Sequence, residues 1–204
     1  MSRFTPPSLA PDVATIDLPT LRQQLLTLFC EVAYREGEFT LTSGQKSNYY
    51  INSKQVTLHP WGGLAVGRVL LSMLPEDAVA VSGLTLGADP LVTATSVVAA
   101  YEGRSLTALI VRKEAKGHGT QAFIEGPTLP PDSPVVVLED VVTTGQSALK
   151  AVERLTAAGY RVNHIISLVD RQEGGSELYA EKGLQFQAIF SIPDLRQRWS
   201  ELQR

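Results

Sequence analysis

Two adjacent acids, Glu139 and Asp140, stand at the end of an apolar run, and Thr143, Thr144, Gly145, Gln146 and Ser147 follow at once. Carboxylates accept hydrogen bonds from neighbouring hydroxyls, so the pair suits a polyol such as ribose. The hydroxyl- and glycine-bearing turn opens a helical run over 148–155. The free backbone N–H groups of a first helical turn point at an anion, and the helix dipole favours it. Residues 139–147, with Val141 and Val142 between acids and turn, are therefore a candidate cradle for a sugar phosphate. The turn holds no lysine and no G-x-x-x-x-G-K-[ST] pattern, so it is not a nucleotide P-loop. A single glycine also excludes a dinucleotide fingerprint. The plainer alternative is a strand-to-helix turn with threonine caps, and these residues by themselves leave both open.

A second cluster is cationic. Arg112, Lys113, Lys116 and His118 lie within seven residues, interleaved with Gly117 and Gly119, and Glu114 is the only acid between Gly103 and Ile124. Such a segment suits a leaving diphosphate, whose developing charge must be neutralised, and a glycine-bearing loop could close over a site and exclude water. The alternative is a solvated surface loop. Arg171 offers a guanidinium that can grip a carboxylate bidentately; its alternative is a surface ion pair with Asp170 or Glu173. Ser43, Gly44 and Lys46 form a turn with a lysine, a further candidate substrate contact. Tyr49 and Tyr50 wall a pocket or belong to the core. His59 and His164 read as structural, and the single cysteine, Cys30, as a buried core thiol.

The elements must bring these groups together. The run Val135, Val136, Val137, Leu138 is too apolar to alternate and implies a strand buried on both faces. Thr20 is the expected N-cap of a first helix, with Leu21, Leu25, Leu28, Phe29 and Val32 on one face and Gly37 as its stop. Residues 39–53 read as two short strands around Ser43-Gly44. A helix over about 61–73 stops before Pro75. Strands follow at 78–82, 106–111, 162–169 and 186–190, and helices at about 88–101, 176–182 and 194–202; 117–134 reads as an irregular flap. Strand–helix alternation from 78 to 169 predicts an α/β fold with a mainly parallel sheet and helices on both faces. Ligands bind beyond the carboxyl ends of such strands, and 83–89, 112–119, 139–147 and 170–175 all fall there.

With 204 residues, the chain suits one α/β domain over 20–204, with small hood elements over about 20–55 and a loose extension over 1–19. Hydrophobic residues make up 44% and charged ones 19%, which argues against disorder. The net charge of −3 argues against a general nucleic-acid binder. No run reaches membrane-spanning length and no signal-peptide core precedes Asp12, so a cytoplasmic location is expected.

The acid pair with its Thr-Thr-Gly turn resembles the phosphoribosyl-diphosphate motif of type I phosphoribosyltransferases. VRKEAKGHG at 111–119 is similar to the catalytic loop of the orotate phosphoribosyltransferases, and FTLTSGQKSNYYI at 39–51 resembles that family's N-terminal motif. GLTLGADP at 83–90 and Asp170-Arg171 also fit. The resemblance implies a type I phosphoribosyltransferase fold with a flexible catalytic loop. It implies transfer of ribose 5-phosphate from phosphoribosyl diphosphate (PRPP) to orotate, giving orotidine 5′-monophosphate and diphosphate in pyrimidine biosynthesis. Mg²⁺ would be held mainly through PRPP, without a dedicated protein cage. The active unit would be a homodimer whose basic loop reaches into the neighbour's site. By motif position, Arg112, Lys113, Lys116 and His118 would meet the diphosphate. Glu139 and Asp140 would hold the ribose hydroxyls, and 143–147 the 5′-phosphate, with Val141 and Val142 lining the approach. Thr143 and Arg171 would meet orotate, and Lys116, His118 and Asp140 would be catalytic. Thr42 stands where some members carry a lysine, so that lysine's contact cannot be carried over. The alternatives are a nucleic-acid-binding regulator on the same fold, which should show a basic face, and a transferase for another base, which would not need Arg171.

Overall fold

The computed structural model describes residues 11–40, 44, 46–115 and 123–204. Ser43, Lys116 and His118 fall outside the described residues.

The chain begins with a 3-10 turn, Pro11–Ala14, and helix α1, Leu18–Val32. An antiparallel hairpin of β1, Tyr34–Thr40, and β2, Lys46–Ile51, follows. Short α2, Lys54–Thr57, leads to α3, Pro60–Met73. The main sheet is then laid down by β3, Ala80–Leu84, β4, Thr107–Val111, β5, Ile124–Glu125, β6, Pro134–Val142, β7, Arg161–Asp170, and β8, Gln185–Ser191. Between and after them run α4, Asp89–Tyr101, α5, Gln146–Ala157, α6, Gly175–Glu181, and α7, Ile192–Leu202. The sheet order is β5-β4-β3-β6-β7-β8, parallel except for the antiparallel edge strand β5. The α/β prediction holds, and β6 lies at the centre.

Both faces are covered. Val136 and Leu138 of β6 enter one core with residues of α1, α3 and α4; Val135 and Val137 enter the other with Ala148, Leu149 and Leu155 of α5. That is why this strand shows no alternation in sequence. Among the described residues, no helix is long and apolar enough to cross a membrane.

Several local expectations are corrected. Helix α1 is capped by Asp17, whose carboxylate accepts from the Thr20 N–H at 3.0 Å, so it starts before Thr20. It ends at Val32 rather than at Gly37. Tyr34 is drawn into the core by stacking with Tyr49, 5.9 Å between centroids, and by an edge contact with Trp199 at 5.7 Å. Gly37, at φ +148°, serves the irregularity in the β1–β2 register instead. Within residues 11–19, read as part of a loose extension, the chain is anchored at two points: Val13 is buried, and Arg68 donates to the Val13 and Ile16 carbonyls at 2.9 Å each. Helix α7 starts at Ile192 because Ser191 and Asp194 form a reciprocal capping box. His59 is structural as expected, capping α3 through Nδ1 on the Gly62 N–H. Cys30 is fully buried, and burial raises its thiol pKa to about 12.

Candidate active site

The carboxyl ends of β3, β6 and β7 meet at one place. Strand β6 ends at Val142, and Gly145, at φ +81°, turns the chain into α5. This left-handed position is open to glycine but costs other residues about 1–2 kcal/mol. A Cβ there would also lie 2.9 Å from the Tyr179 ring. No side chain caps α5, which removes the reading of this turn as threonine-capped and leaves the helix N-terminus to an external acceptor. From beneath, α6 presses against the turn: a Cβ on Gly175 would meet Val142 Cγ1 at 2.4 Å and the Thr143 carbonyl at 3.2 Å.

The two acids behave differently. Glu139 is 6% exposed, and its Oε2 has no hydrogen-bond partner among the described residues. Burial first, and then the neighbouring Asp140, push its pKa well above the ordinary carboxylate range. Asp140 accepts from Ser53 Oγ at 2.6 Å, and Lys54 Nζ lies 3.5 Å from the same Oδ2. Gly87, after β3, touches Asp140 from the other side: a Cβ would lie 2.5 Å from Oδ1. In the same 83–89 segment Thr85 Oγ1 donates to Asp89 at 2.7 Å. Segments 83–89, 139–147 and 170–175 thus meet, as their strand-end positions predict.

A cavity of about 240 Å³ opens beside this point, lined among others by Tyr49, Tyr50, Lys54, Asp140 and Arg171. Arg171 Nε donates to Tyr49 Oη at 2.8 Å, Tyr49 Oη donates to Glu173 at 3.0 Å, and Arg171 Nη2 pairs with Glu173 at 2.9 Å. The guanidinium lies 4.8 Å from the Tyr49 ring centroid. Arg171 is therefore both in the ion pair that its sequence neighbours allow and at the wall of a pocket. Tyr49 is at once pocket wall and core, being 7% exposed, whereas Tyr50 is 44% exposed. Lys46 does not line this cavity.

A second cavity, about 420 Å³, brings Arg112 and Lys113 beside Thr85 and Asp89. Arg112 pairs with Glu125 at 2.8 Å, while Lys113 is exposed. A larger hollow of about 1020 Å³ lies elsewhere, along α1, α3 and β8, and is mainly apolar in lining. It contains none of the groups described above, so size does not mark the site here.

Sequence reasoning missed Ser53 and Lys54. They sit at the start of a four-residue helix with no motif around them, and only the fold carries them to Asp140. It named Glu173 as a possible partner of Arg171 but missed that Tyr49 shares it.

A central parallel sheet, an uncapped helix N-terminus behind an acid pair, and a guanidinium at the next strand end define a type I phosphoribosyltransferase. No family model matches the chain. A curated orotate phosphoribosyltransferase of Nostoc sp. is 68% identical over 189 residues, 93% of this chain and 92% of the relative. The crystal structure of the orotate phosphoribosyltransferase of Mycobacterium tuberculosis H37Rv in complex with Fe(III) dicitrate superposes with a TM-score of 0.77 at 36% identity, covering 86% of this chain and 98% of that one. The same enzyme in complex with 5-phospho-alpha-D-ribosyl 1-diphosphate gives 0.74 at 33% identity, with 86% and 99% covered. The chain belongs to the orotate phosphoribosyltransferase family and is an enzyme, a pentosyltransferase. The regulator and other-base readings are not favoured.

Proposed function

We propose that the protein transfers the 5-phosphoribosyl group of PRPP to N1 of orotate, releasing diphosphate, in the making of pyrimidine nucleotides. The observation that carries this reading is the convergence of the uncapped α5 N-terminus, the Glu139–Asp140 pair and Arg171 at adjacent strand ends. The likeness to relatives named for this reaction supports it, as does the related structure solved with PRPP.

In this reading the backbone N–H groups of 143–147, with the Thr143, Thr144 and Ser147 hydroxyls, hold the 5′-phosphate. Glu139 and Asp140 hold the ribose hydroxyls, and Ser53 and Lys54 orient Asp140. The C1′–oxygen bond to diphosphate breaks, and the C1′–N1 bond forms. Positive charge gathers on the sugar as the diphosphate takes the bonding pair, and Asp140 places a carboxylate beside it. Arg112, Lys113, Lys116 and His118 neutralise the leaving diphosphate, with Lys116 and His118 able to give it a proton. Arg171 takes the orotate carboxylate, exchanging one carboxylate partner, Glu173, for another; Thr143 lies near the base, and Ser43 and Lys46 are outer contacts.

Mg²⁺ would be held mainly through PRPP rather than by a dedicated set of protein ligands. Such an ion is usually bound through one or two carboxylates plus substrate phosphates. It would supply further neutralisation of the departing charge. Two copies form the active unit, with the basic segment of each serving the other's site, and the enzyme works in the cytoplasm, where a lone buried thiol is unremarkable.

The test is to follow orotate absorbance with PRPP and Mg²⁺, running uracil and hypoxanthine in parallel with product detection suited to each. Turnover is expected with orotate alone. Turnover with either other base in its place, or with none while PRPP still binds, would overturn the reading.

A further inference from the structure

Arg154 projects from α5 toward the basic segment. It lies nine residues beyond Gly145, about 13 Å along the helix at 1.5 Å per residue. Its Nη1 donates to the Arg112 carbonyl and its Nη2 to the Lys113 carbonyl, the latter at 2.9 Å. The same guanidinium lies 4.0 Å from the centroid of the Phe123 ring. Arg112 and Phe123 are joined directly, since the Arg112 N–H donates to the Phe123 carbonyl at 2.7 Å. The Arg112–Glu125 ion pair adds a second tie between the same two stretches. One side chain therefore fastens the chain leaving β4 and the chain entering β5 to the helix whose other end is the phosphate cradle.

The chemistry selects arginine. A planar guanidinium can donate to two carbonyls and stack on an aromatic ring at once; an ammonium is a point donor without the fork. Holding the carbonyls of consecutive residues fixes the peptide plane between them, and with it the directions in which the Arg112 and Lys113 side chains leave the backbone. Those are the cations assigned above to the diphosphate.

We propose that Arg154 is a positioning residue for PRPP. It touches no substrate, and it fixes the directions of Arg112 and Lys113, the cations assigned to the diphosphate, in whichever subunit's site they act. The proposal rests on the reading that the basic segment meets the diphosphate.

Steady-state kinetics of the full chain test it, with Arg154→Met and Arg154→Lys measured beside Lys116→Ala and the wild type. Displacing a charge by about 1 Å can cost up to about a hundredfold. Arg154→Met should therefore raise KM for PRPP, and for diphosphate in the reverse reaction, by about tenfold or more. KM for orotate and the melting temperature should stay near wild type. Arg154→Lys should recover part of the loss. Equal changes in both substrates' KM together with a lowered melting temperature would reduce Arg154 to a structural residue and overturn the proposal. An unchanged PRPP KM in Arg154→Met, beside a raised one in Lys116→Ala, would sink the proposal and leave its parent reading standing. If neither substitution affects use of PRPP, the parent reading falls and takes the proposal with it.

Discussion

The proposed phosphate cradle and the proposed base pocket lie a few residues apart around Asp140, yet they are built on opposite plans. The cradle is backbone: a left-handed glycine, an uncapped helix start, and supporting residues, Gly175 and Tyr179, that press from beneath. The pocket is side chains: Tyr49 from the hairpin, Arg171 from the turn after β7, held by Glu173, and Lys54 from α2. A phosphate is alike in every sugar phosphate, so fixed N–H donors suffice for it. Choosing one base requires groups whose identity matters, and those come from distant parts of the chain.

The sharpest way to break this contrast is Gly145→Ala. The positive φ and the Tyr179 clash together should cost roughly 2–3 kcal/mol, or about a hundredfold in kcat/KM for PRPP. KM for orotate should move far less. If instead Thr143→Val or Thr144→Val did comparable damage while Gly145→Ala did little, the cradle would be a side-chain site after all. Next in size is Arg171→Met. Losing a charge-assisted hydrogen bond costs about 1.5–3 kcal/mol, so KM for orotate should rise about ten- to a hundredfold with PRPP use nearly intact. A matching rise for both substrates would show that the two regions are not separable.

The smallest effect concerns Glu139. Its folded-state pKa stands above the unfolded one, so the folded protein holds that proton more tightly. Stability is then fully present below about pH 4.5, the ordinary value, and falls as pH rises through the elevated one. Melting curves of the substrate-free protein should show this decline, and Glu139→Gln should flatten it. A decline unaltered in Glu139→Gln would place its origin elsewhere.

The same contrast explains what was legible in the sequence. β6, the acid pair and the glycine turn are contiguous, and a backbone site is written in contiguous residues. The hairpin, too, is expected from two strand-like runs on either side of the Ser43-Gly44 pair in the sequence. The Tyr49–Glu173 contact spans 124 positions, and the Ser53–Asp140 contact 87, so no local pattern announces either. Gly37 misled because glycine ends helices and also opens irregular strands; the burial of Tyr34 between Tyr49 and Trp199 decided between them. The anchoring of Val13 and Ile16 depends on Arg68, some fifty residues away, for which the proline-rich composition around them offers no sign.

The burial of Cys30 has a practical side. The thiolate is the reactive form, and this thiol is fully buried, held protonated at neutral pH and donated to the Leu195 carbonyl at 3.4 Å. The native chain is therefore silent toward maleimide dyes without any mutation to clear its background. A cysteine introduced at exposed Glu114, on the stem of the basic segment, would be the one labelled position, and a fluorophore there would report on that segment while substrates come and go.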